Sequence, residues 1–536
     1  MELQIKKDLP TQKQAKSWQF CIGSCHASTL LRADALRILK RVHDELGIRQ
    51  VRFHGTFNDD MGTLCNFPAV FGLPVGEHII ETNFYKIGVL YDNILALGMK
   101  PFVELSFMPE LLAADKTRSF IYNSIHSLPE SLEKWAAYIK SYLAYLFHRY
   151  GEEEVCSWFF EVWNEPDLAG TFFSGNRNGY MQFYEMTARA IKEFCPRLRV
   201  GGPATSASRW IPEFMKYCED HDVPVDFIST HQYLGEPFLG ISEETAQKTY
   251  EELQAEKEAT AEAEKARIAY IKKAMETIPG DTSLLAALHI VFGGKDGTES
   301  DFDANLLPDN AKVVKKQAKG LPVYYTEWSL SSSFGARGQD MRKVAAYDVK
   351  TALAIDHLVE GSSIWCYSDI FEELHQFKEP FHGGYGLLTY TGIPKPAFYG
   401  MRMLAQSEQN RILLDETQFG EVEAAAFEGE HEKQILLIRQ NTHQLDLPPE
   451  VVRISVELEH APKRVYLQRI DEDHCNPRRV WEEMGAPNDL NKSEVEAILA
   501  ASDMVDEEIA YTYENGVLET QAALGVNDLY FIRIEK

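Results

Sequence analysis

Short apolar runs alternate with amphipathic stretches from about residue 18 to 400. Stretches such as Ala33–Leu46 and Leu132–Tyr150 repeat apolar residues at helical spacing, and Gly47 and Gly151 follow them as C-cap glycines do. Near-continuous apolar runs are typical of parallel strands buried on both faces. Eight such runs predict a (β/α)8 barrel. They are Phe20–Gly23, Gln50–His54, Lys100–Leu105, Ser157–Trp163, Arg199–Gly201, Asp226–Thr230, Pro322–Thr326 and Ser362–Cys366.

A doubly wound open sheet is the alternative for the same alternation of elements. That fold usually carries a glycine-rich phosphate fingerprint after a strand, and none of the eight runs is followed by one. The pattern therefore favours an α/β chain with a (β/α)8 TIM barrel over residues 18–402.

The segment from about 240 to 320 is longer than one crossover helix. Its first part, Ser242–Ile278, is rich in Ala, Glu and Lys and predicts one or two exposed helices, and the residues after Pro279 have the composition of a loop. We expect a helical insertion here, either a solvated one without chemistry or a lid or oligomer contact beside the site.

After residue 403 the pattern changes to alternation with period two. Gln434–Arg439, Arg453–Leu458 and Leu529–Ile534 predict half-buried strands, with a helix at Lys492–Ala501. We expect a β-sandwich domain over residues 403–536, to which the N-terminal segment 1–17 adds a strand.

The net charge and the cysteine content limit the kinds of partner and metal that the chain is expected to bind. The net charge of −27 opposes binding to nucleic acid or an anionic membrane. The eight cysteines form no zinc-site spacing, so we expect neither a structural metal nor a disulfide framework. The N-terminal residues lack the apolar core of a signal peptide, and no run is long enough to span a membrane. We therefore expect a cytoplasmic protein.

Polar residues follow the apolar strands, where barrel enzymes build their sites. Strand four runs into Asn164-Glu165 and strand seven into Glu327. Breaking a glycosidic bond requires one carboxylic acid that protonates the leaving oxygen and one carboxylate that traps the sugar cation. Two glutamates at these positions face each other across a barrel mouth. The sequence thus predicts Glu165 as acid/base and Glu327 as nucleophile of a retaining glycosidase.

The two carboxyl groups need different surroundings. The aromatic strand before Glu165 predicts a buried acid with a raised pKa. Arg52 and the Tyr233 hydroxyl are candidates to keep Glu327 ionised. Asn164 is a candidate for binding the sugar 2-hydroxyl, a contact that strengthens in the transition state.

Several segments together resemble glycoside hydrolase family 39, over roughly residues 18 to 400. Phe159–Pro166 (FFEVWNEP) resembles the acid/base segment of that family, and Tyr324–Trp328 (YYTEW) its nucleophile segment. Val51–Gly55, Lys100–Pro109, Gly201–Thr205, Asp226–Tyr233 and Phe381–Leu387 are also similar to the family's motifs. The resemblance implies a barrel hydrolase acting on carbohydrate without metal or organic cofactor, most often a β-xylosidase, and it is compatible with a homo-oligomer.

By resemblance, the subsite of the non-reducing sugar is lined by His54, His231, Tyr233 and Glu372 or Glu373. Phe107 or Trp365 is implied as its wall. The sequence departs from the family pattern around the pocket, with Cys25–Ala27 after strand one and Ser329 after Glu327-Trp328.

These departures leave the sugar open. An α-L-arabinoside, a β-glucoside or an α-L-iduronide is the alternative substrate. A uronide needs a cation for its carboxylate, for which Lys378 and Arg209 are the candidates. A catalytically silent, carbohydrate-binding barrel is the third hypothesis, and the presence of both glutamates disfavours it.

Overall fold

The computed structural model describes residues 1–66, 72, 80–168, 170–234, 269, 273, 304–332, 334–335, 338–373, 376–441 and 447–536. Apart from residues 269 and 273, the helices predicted within 242–278 lie outside the described residues, as does the loop predicted after Pro279. The last part of the 240–320 segment is described and contains the helix Leu306–Gln317, which precedes strand seven.

Eight parallel strands close into a barrel. Each of the eight predicted strands overlaps one of them. In chain order they are Cys21–His26, Gln50–His54, Lys100–Glu104, Phe159–Glu161, Arg199–Thr205, Phe227–Tyr233, Val323–Ser329 and Gly361–Ile364. Among the described residues, one helix of at least ten residues follows each strand: Ala33–Leu46, Tyr85–Ala96, Leu132–Tyr150, Arg177–Phe194, Ile211–Asp220, Leu306–Gln317, Arg342–Ile355 and Pro396–Gln406. The predicted TIM barrel is thus confirmed.

The strand bounds differ from the prediction where the backbone leaves the ladder. Strand four ends at Glu161 rather than Trp163, because Trp163 has a φ of 72° and strand pairing requires a negative φ. Strands five, six and seven continue three to four residues further than predicted and end in the polar residues Thr205, Tyr233 and Ser329 at the barrel mouth.

Aromatic side chains fill the N-terminal end of the barrel. Phe20, Phe102, Phe159, Phe227 and Tyr324 form one buried cluster with ring centroids 4.7–6.5 Å apart. Edge-to-face contacts dominate, as in Phe20 with Phe159 at 82°. The N-terminal end of the barrel is therefore closed by aromatic packing.

Two further sheets pack together beside the barrel. The four-stranded sheet runs in the order Glu2–Ile5, Glu450–Glu457, Val517–Leu524, Thr512–Glu514. The seven-stranded sheet runs in the order Thr11–Lys13, Asn410–Ile412, Glu423–Glu428, Glu432–Ile438, Leu529–Glu535, Arg464–Ile470, Glu507–Glu508. Helices Pro477–Glu483 and Lys492–Ser502 complete this part. We propose that residues 1–17 and 403–536 form one sandwich domain beside a barrel domain of residues 18–402.

The prediction of half-buried strands was wrong for the centre of the seven-stranded sheet. Glu432–Ile438 is buried at every position after its first residue. Ile435 and Leu437 point into the sandwich core, whereas Leu436 and Ile438 pack against the barrel core, as the two-residue period of a strand requires. The sheet is thus sandwiched between two cores. Among the described residues, no helix is both long and apolar enough to cross a membrane.

Candidate active site

The two predicted glutamates lie together at the mouth of the barrel. Glu165 follows strand four, and Glu327 lies within strand seven, beside His231 of strand six in the register of the sheet. One carboxylate oxygen of each glutamate and one ring nitrogen of His231 lie within 4.8 Å of one another. Glu165 is 6% exposed and Glu327 is 4% exposed, so both are almost withdrawn from water.

The backbone around Glu165 is held in an unusual conformation. Glu165 has a φ of 41° and Trp163 a φ of 72°, both in the left-handed region that non-glycine residues rarely adopt. The Glu165 amide donates a 2.9 Å hydrogen bond to the carbonyl of Ala204, and the Trp163 indole donates to the carbonyl of Phe172. Strain of this kind persists only where surrounding contacts enforce it, and here it turns the Glu165 side chain toward Glu327.

Glu327 is bound on both carboxylate oxygens. Arg52 Nη1 lies 2.7 Å from Oε1, and the Tyr233 hydroxyl donates to Oε2 over 2.8 Å. Burial alone raises the pKa of Glu327. The neighbouring His231, Arg52 and His54 and the Tyr233 hydrogen bond outweigh burial, so the net pKa lies below its usual range. The carboxylate is therefore ionised, as the sequence predicted from Arg52 and Tyr233.

The surroundings of Glu165 shift its pKa in the opposite direction. Burial, the negative charge of Glu327 and then that of Asp167 raise its pKa well above the usual range. Its Oε1 lies 3.0 Å from His231 Nδ1, and burial lowers the pKa of His231. Sequence reasoning expected burial to keep Glu165 protonated. The repulsion from Glu327 is a second cause that only the geometry reveals.

A buried network behind the glutamates was missed by sequence reasoning. Arg52 Nε donates to Glu161 over 2.6 Å, and Arg52 Nη2 lies 2.7 Å from Glu104. Thr326 donates to Glu161 over 2.8 Å. Glu104 and Glu161 are the only acidic residues in their short apolar strands. An acidic residue in such a strand is the feature of the sequence that could have indicated a buried ion pair. Arg52 thus balances three carboxylates and holds Glu327 in place.

His54 lies on the same side of the site. Its Nδ1 lies 2.8 Å from Glu104, and its Nε2 lies 3.7 Å from Glu327. Burial lowers its pKa, but Glu104 and Glu327 more than compensate and raise the pKa to about 9, so the imidazole is charged at neutral pH. Its ring centroid is 4.6 Å from that of Trp365 and 6.0 Å from that of Phe107. Both proposed wall residues therefore pack beside His54.

The structure distinguishes Glu372 from Glu373 as the residue that lines the site, a question that the sequence left open. Glu372 Oε1 pairs with Arg32 over 2.6 Å at the surface, and its side chain is 33% exposed. Glu373 Oε1 instead lies 3.9 Å from His54 Nε2 and 3.4 Å from the Tyr122 hydroxyl. Burial raises the pKa of Glu373 to about 7, despite the charge of His54. Glu373 is therefore the carboxyl group that faces the site.

Two buried polar nitrogens beside the glutamates lack a partner within the described part of the chain. Asn164 Oδ1 accepts from Arg52 over 3.0 Å, while Asn164 Nδ2 has no partner. His231 Nε2 is likewise unpaired. Buried polar groups are rarely left unsatisfied, so both nitrogens fit a ligand with several hydroxyl groups.

The loop after strand eight supplies another residue that sequence reasoning did not single out. Tyr385 is half-buried, and burial, followed by the charge of Glu373, raises the pKa of its phenol well above the usual range. Its hydroxyl donates to the Ser332 carbonyl over 2.7 Å. In the sequence, the feature that could have indicated Tyr385 is its position within Phe381–Leu387, one of the segments that resemble the family.

A buried ion cluster anchors that loop. Lys395 Nζ lies 2.7 Å from Asp340 and 2.6 Å from Asp369, and none of the three side chains is more than 1% exposed. Asp369 also accepts from the Gly386 amide and Asp340 from the Gly383 amide. The residues on either side of Tyr385 are thereby tied to the barrel.

Neither residue that was predicted to bind the carboxylate of a uronide provides a free positive charge beside Glu165 and Glu327. Arg209 Nη1 lies 3.3 Å from Asp167, with which it forms an ion pair. Lys378 is exposed on the loop after strand eight. Glu165, His231 and Glu327 have the atoms to hold a metal ion, but the adjacent Arg52 opposes a second cation.

The sequence and structure were compared with known proteins. The model of the family described as glycosyl hydrolases family 39 matches residues 1–280 and 298–518. The chain belongs to glycosyl hydrolase family 39. A β-xylosidase of Caldicellulosiruptor saccharolyticus is 36% identical over 96% of this chain and 94% of its own. A β-xylosidase of Geobacillus stearothermophilus is 29% identical over 98% and 94%, respectively. The solved structure of a family 39 β-xylosidase from Caulobacter crescentus superposes with a TM-score of 0.74 at 27% identity, covering all of both chains.

Proposed function

We propose that this family 39 hydrolase is a β-D-xylosidase that removes xylose from non-reducing ends with retention of configuration. The observation that carries the retaining mechanism is the approach of Glu165 and Glu327, whose nearest carboxylate oxygens lie within 4.8 Å. Retaining enzymes hold their carboxyl groups about 5–5.5 Å apart, whereas inverting enzymes need about 6.5–9.5 Å to fit a water molecule.

In the first step, Glu327 attacks the anomeric carbon while Glu165 gives its proton to the glycosidic oxygen. The bond to the leaving group breaks and a glycosyl ester with Glu327 forms. In the second step, Glu165 takes a proton from water, whose oxygen displaces Glu327 from the sugar. The opposed pKa shifts of the two glutamates support these roles, because Glu165 starts protonated and Glu327 starts ionised.

The surroundings of the pair support a site for one terminal sugar. Asn164 Nδ2 and His231 Nε2 are unpaired donors for sugar hydroxyls, and Tyr233 bridges to the nucleophile. The loop after strand three contacts the loop after strand eight, where the Ile121 amide donates to the Glu373 carbonyl over 3.2 Å. This contact closes one side of the barrel mouth, which favours chain-end cleavage over cleavage within a polymer.

Xylose is proposed as the sugar for two reasons. Two relatives are β-xylosidases, and among the described residues neither Arg209 nor Lys378 offers a free positive charge beside Glu165 and Glu327. The α-L-iduronide alternative is disfavoured because Arg209 is paired and Lys378 is exposed. We also propose that the enzyme works in the cytoplasm without a cofactor. All eight cysteines are free, which suits a reducing compartment.

Aryl β-D-xyloside turnover followed by NMR tests the proposal. Retention predicts β-xylose as the first anomer, and initial α-xylose would contradict the mechanism. Glu327→Gly is expected to abolish turnover, and azide is expected to restore it by taking the place of the carboxylate. A panel of aryl β-glucoside, α-L-arabinoside and α-L-iduronide tests the sugar, and a higher kcat/KM on any of these would replace xylose.

A further inference from the structure

A second group of metal-ligating side chains lies at the opposite end of the barrel from the two glutamates. Glu152 and Cys156 precede strand four, and Cys195 precedes strand five. Each offers one donor atom, and the three atoms lie within 4.8 Å of one another. The proposed reaction uses none of these residues.

The spacing of the two thiols matches a tetrahedral metal ion. Cys156 Sγ lies 3.9 Å from Cys195 Sγ. Two thiolates bound to zinc at about 2.3 Å in tetrahedral geometry lie about 3.8 Å apart. Cys195 Sγ is also 3.8 Å from Glu152 Oε1, so the carboxylate is near a third ligand position. The sulfur atoms therefore need almost no movement to share one ion.

Regular structure holds the three donors in place. Glu152 and Cys156 are four residues apart on one helical turn, where the Cys156 amide donates to the Glu152 carbonyl, so they share one face. Cys195 ends the helix Arg177–Phe194, and its amide donates to the Ile191 carbonyl. Donors supplied by two anchored helix ends are more ordered than donors supplied by a free loop.

Glu152 has a competing partner that can be released. Arg197 Nη1 lies 3.2 Å from Glu152, but the same guanidinium holds both oxygens of Glu153 at 2.6 and 2.8 Å. Arg197 thus stays paired if Glu152 turns to an ion. Cys195 is buried, whereas Glu152 is exposed and Cys156 is partly exposed, so water can reach the fourth position.

We propose that Glu152, Cys156 and Cys195 bind one thiophilic divalent cation of the Zn²⁺ or Cd²⁺ class, with water as the fourth ligand. Binding releases the thiol protons, so affinity increases with pH. The ion joins the segments before strands four and five at the base of the barrel. It stabilises the fold without entering the reaction at the other end.

The test is a Cd²⁺ titration of the full chain, kept reduced by a phosphine, with the ultraviolet thiolate-to-Cd²⁺ absorption as signal. We expect one Cd²⁺ per chain, an increase in Tm, and unchanged xyloside turnover. Cys156→Ser and Cys195→Ser should each lose the absorption. Cys65→Ser changes another partly exposed thiol and serves as the matched control, which should keep it.

Three outcomes would overturn the site: no absorption with the wild-type chain, absorption that survives in both serine variants, or Cd²⁺ inhibition that the serine variants do not relieve. The last outcome would place the ion at Glu165, His231 and Glu327 instead. Because the signal is spectroscopic, the result does not depend on which sugar the enzyme cleaves.

Discussion

The Tyr233 hydroxyl donates a 2.8 Å hydrogen bond to Oε2 of Glu327, the carboxylate oxygen that Arg52 leaves free. The nucleophile is thus oriented by one contact on each oxygen. Tyr233 also contributes to the low pKa of Glu327. It is therefore a residue that tunes the nucleophile as well as a candidate for sugar contact.

Tyr233→Phe is expected to lower kcat/KM by about 10- to 100-fold, since a hydrogen bond to a charged group is worth about 1.5–3 kcal/mol. Steady-state kinetics on an aryl xyloside measure the effect. Tyr184→Phe removes a buried hydroxyl that donates to the Pro224 carbonyl away from the site, and it should retain wild-type activity. Equal rates for the two variants would show that the Tyr233 hydroxyl has no catalytic effect.

The pH profile of kcat/KM should be bell-shaped, with limbs assigned to the two glutamates. Glu327 must be ionised, so activity is lost as the pH falls through its lowered pKa. Glu165 must be protonated, so activity is lost as the pH rises through its raised pKa. Glu165→Gln cannot titrate, and on an activated aryl xyloside it should lose the basic limb while keeping the acidic limb. A basic limb that remains in this variant would exclude Glu165 as the acid.

We expect the titration of Glu373 to make KM depend on pH near neutrality, in addition to the two limbs of kcat/KM. Its pKa is about 7, so the carboxyl group gains charge, and with it acceptor capacity for sugar hydroxyls, as the pH rises through neutrality. We expect KM to fall over this interval in the wild type. In Glu373→Gln, KM should be about tenfold higher and independent of pH there.

Glu372→Gln is the matched control for that measurement, because Glu372 is next in the chain but pairs with Arg32 at the surface. This variant should keep the wild-type KM profile. A change in the Glu372 variant and none in the Glu373 variant would reverse the assignment of the two residues.

Lys395→Met is expected to destabilise the fold by about 3–5 kcal/mol, because it leaves the buried carboxylates Asp340 and Asp369 without their cation. Chemical denaturation measures the loss. Lys312→Met removes an exposed lysine that pairs with Asp309, and its effect should stay below about 1 kcal/mol. Similar losses for both variants would mean that the ion cluster adds no stability.

Periodicity was enough to predict the barrel and the glutamate pair. Eight apolar runs of strand length are hard to reconcile with another fold, and the residues that follow strands four and seven must meet at its mouth. The end of strand four was less predictable, because Trp163 has a positive φ and its indole donates to the Phe172 carbonyl in the loop that follows the strand.

Features that depend on residues far apart in the chain were not predictable from periodicity. The Arg52 network joins Glu104, Glu161 and Glu327, which come from four different strands with Arg52 itself. Lys395, Asp340 and Asp369 lie at least 26 residues apart in the chain, and no spacing in the sequence relates the lysine to its two aspartates. Glu372 and Glu373 are adjacent in sequence, and only the positions of Arg32 and Tyr122 distinguish them.

The pairing of the strand Glu2–Ile5 has a consequence for synthesis on the ribosome. Its partner is Glu450–Glu457, and the contact between Glu2 and Arg453 spans 451 residues. Translation proceeds from the N-terminus, so this edge strand leaves the ribosome long before its partner exists. The nascent chain must therefore carry this strand, in which exposed and buried positions alternate, without its partner while the whole barrel is made. The four-stranded sheet is completed only when Val517–Leu524 has been translated.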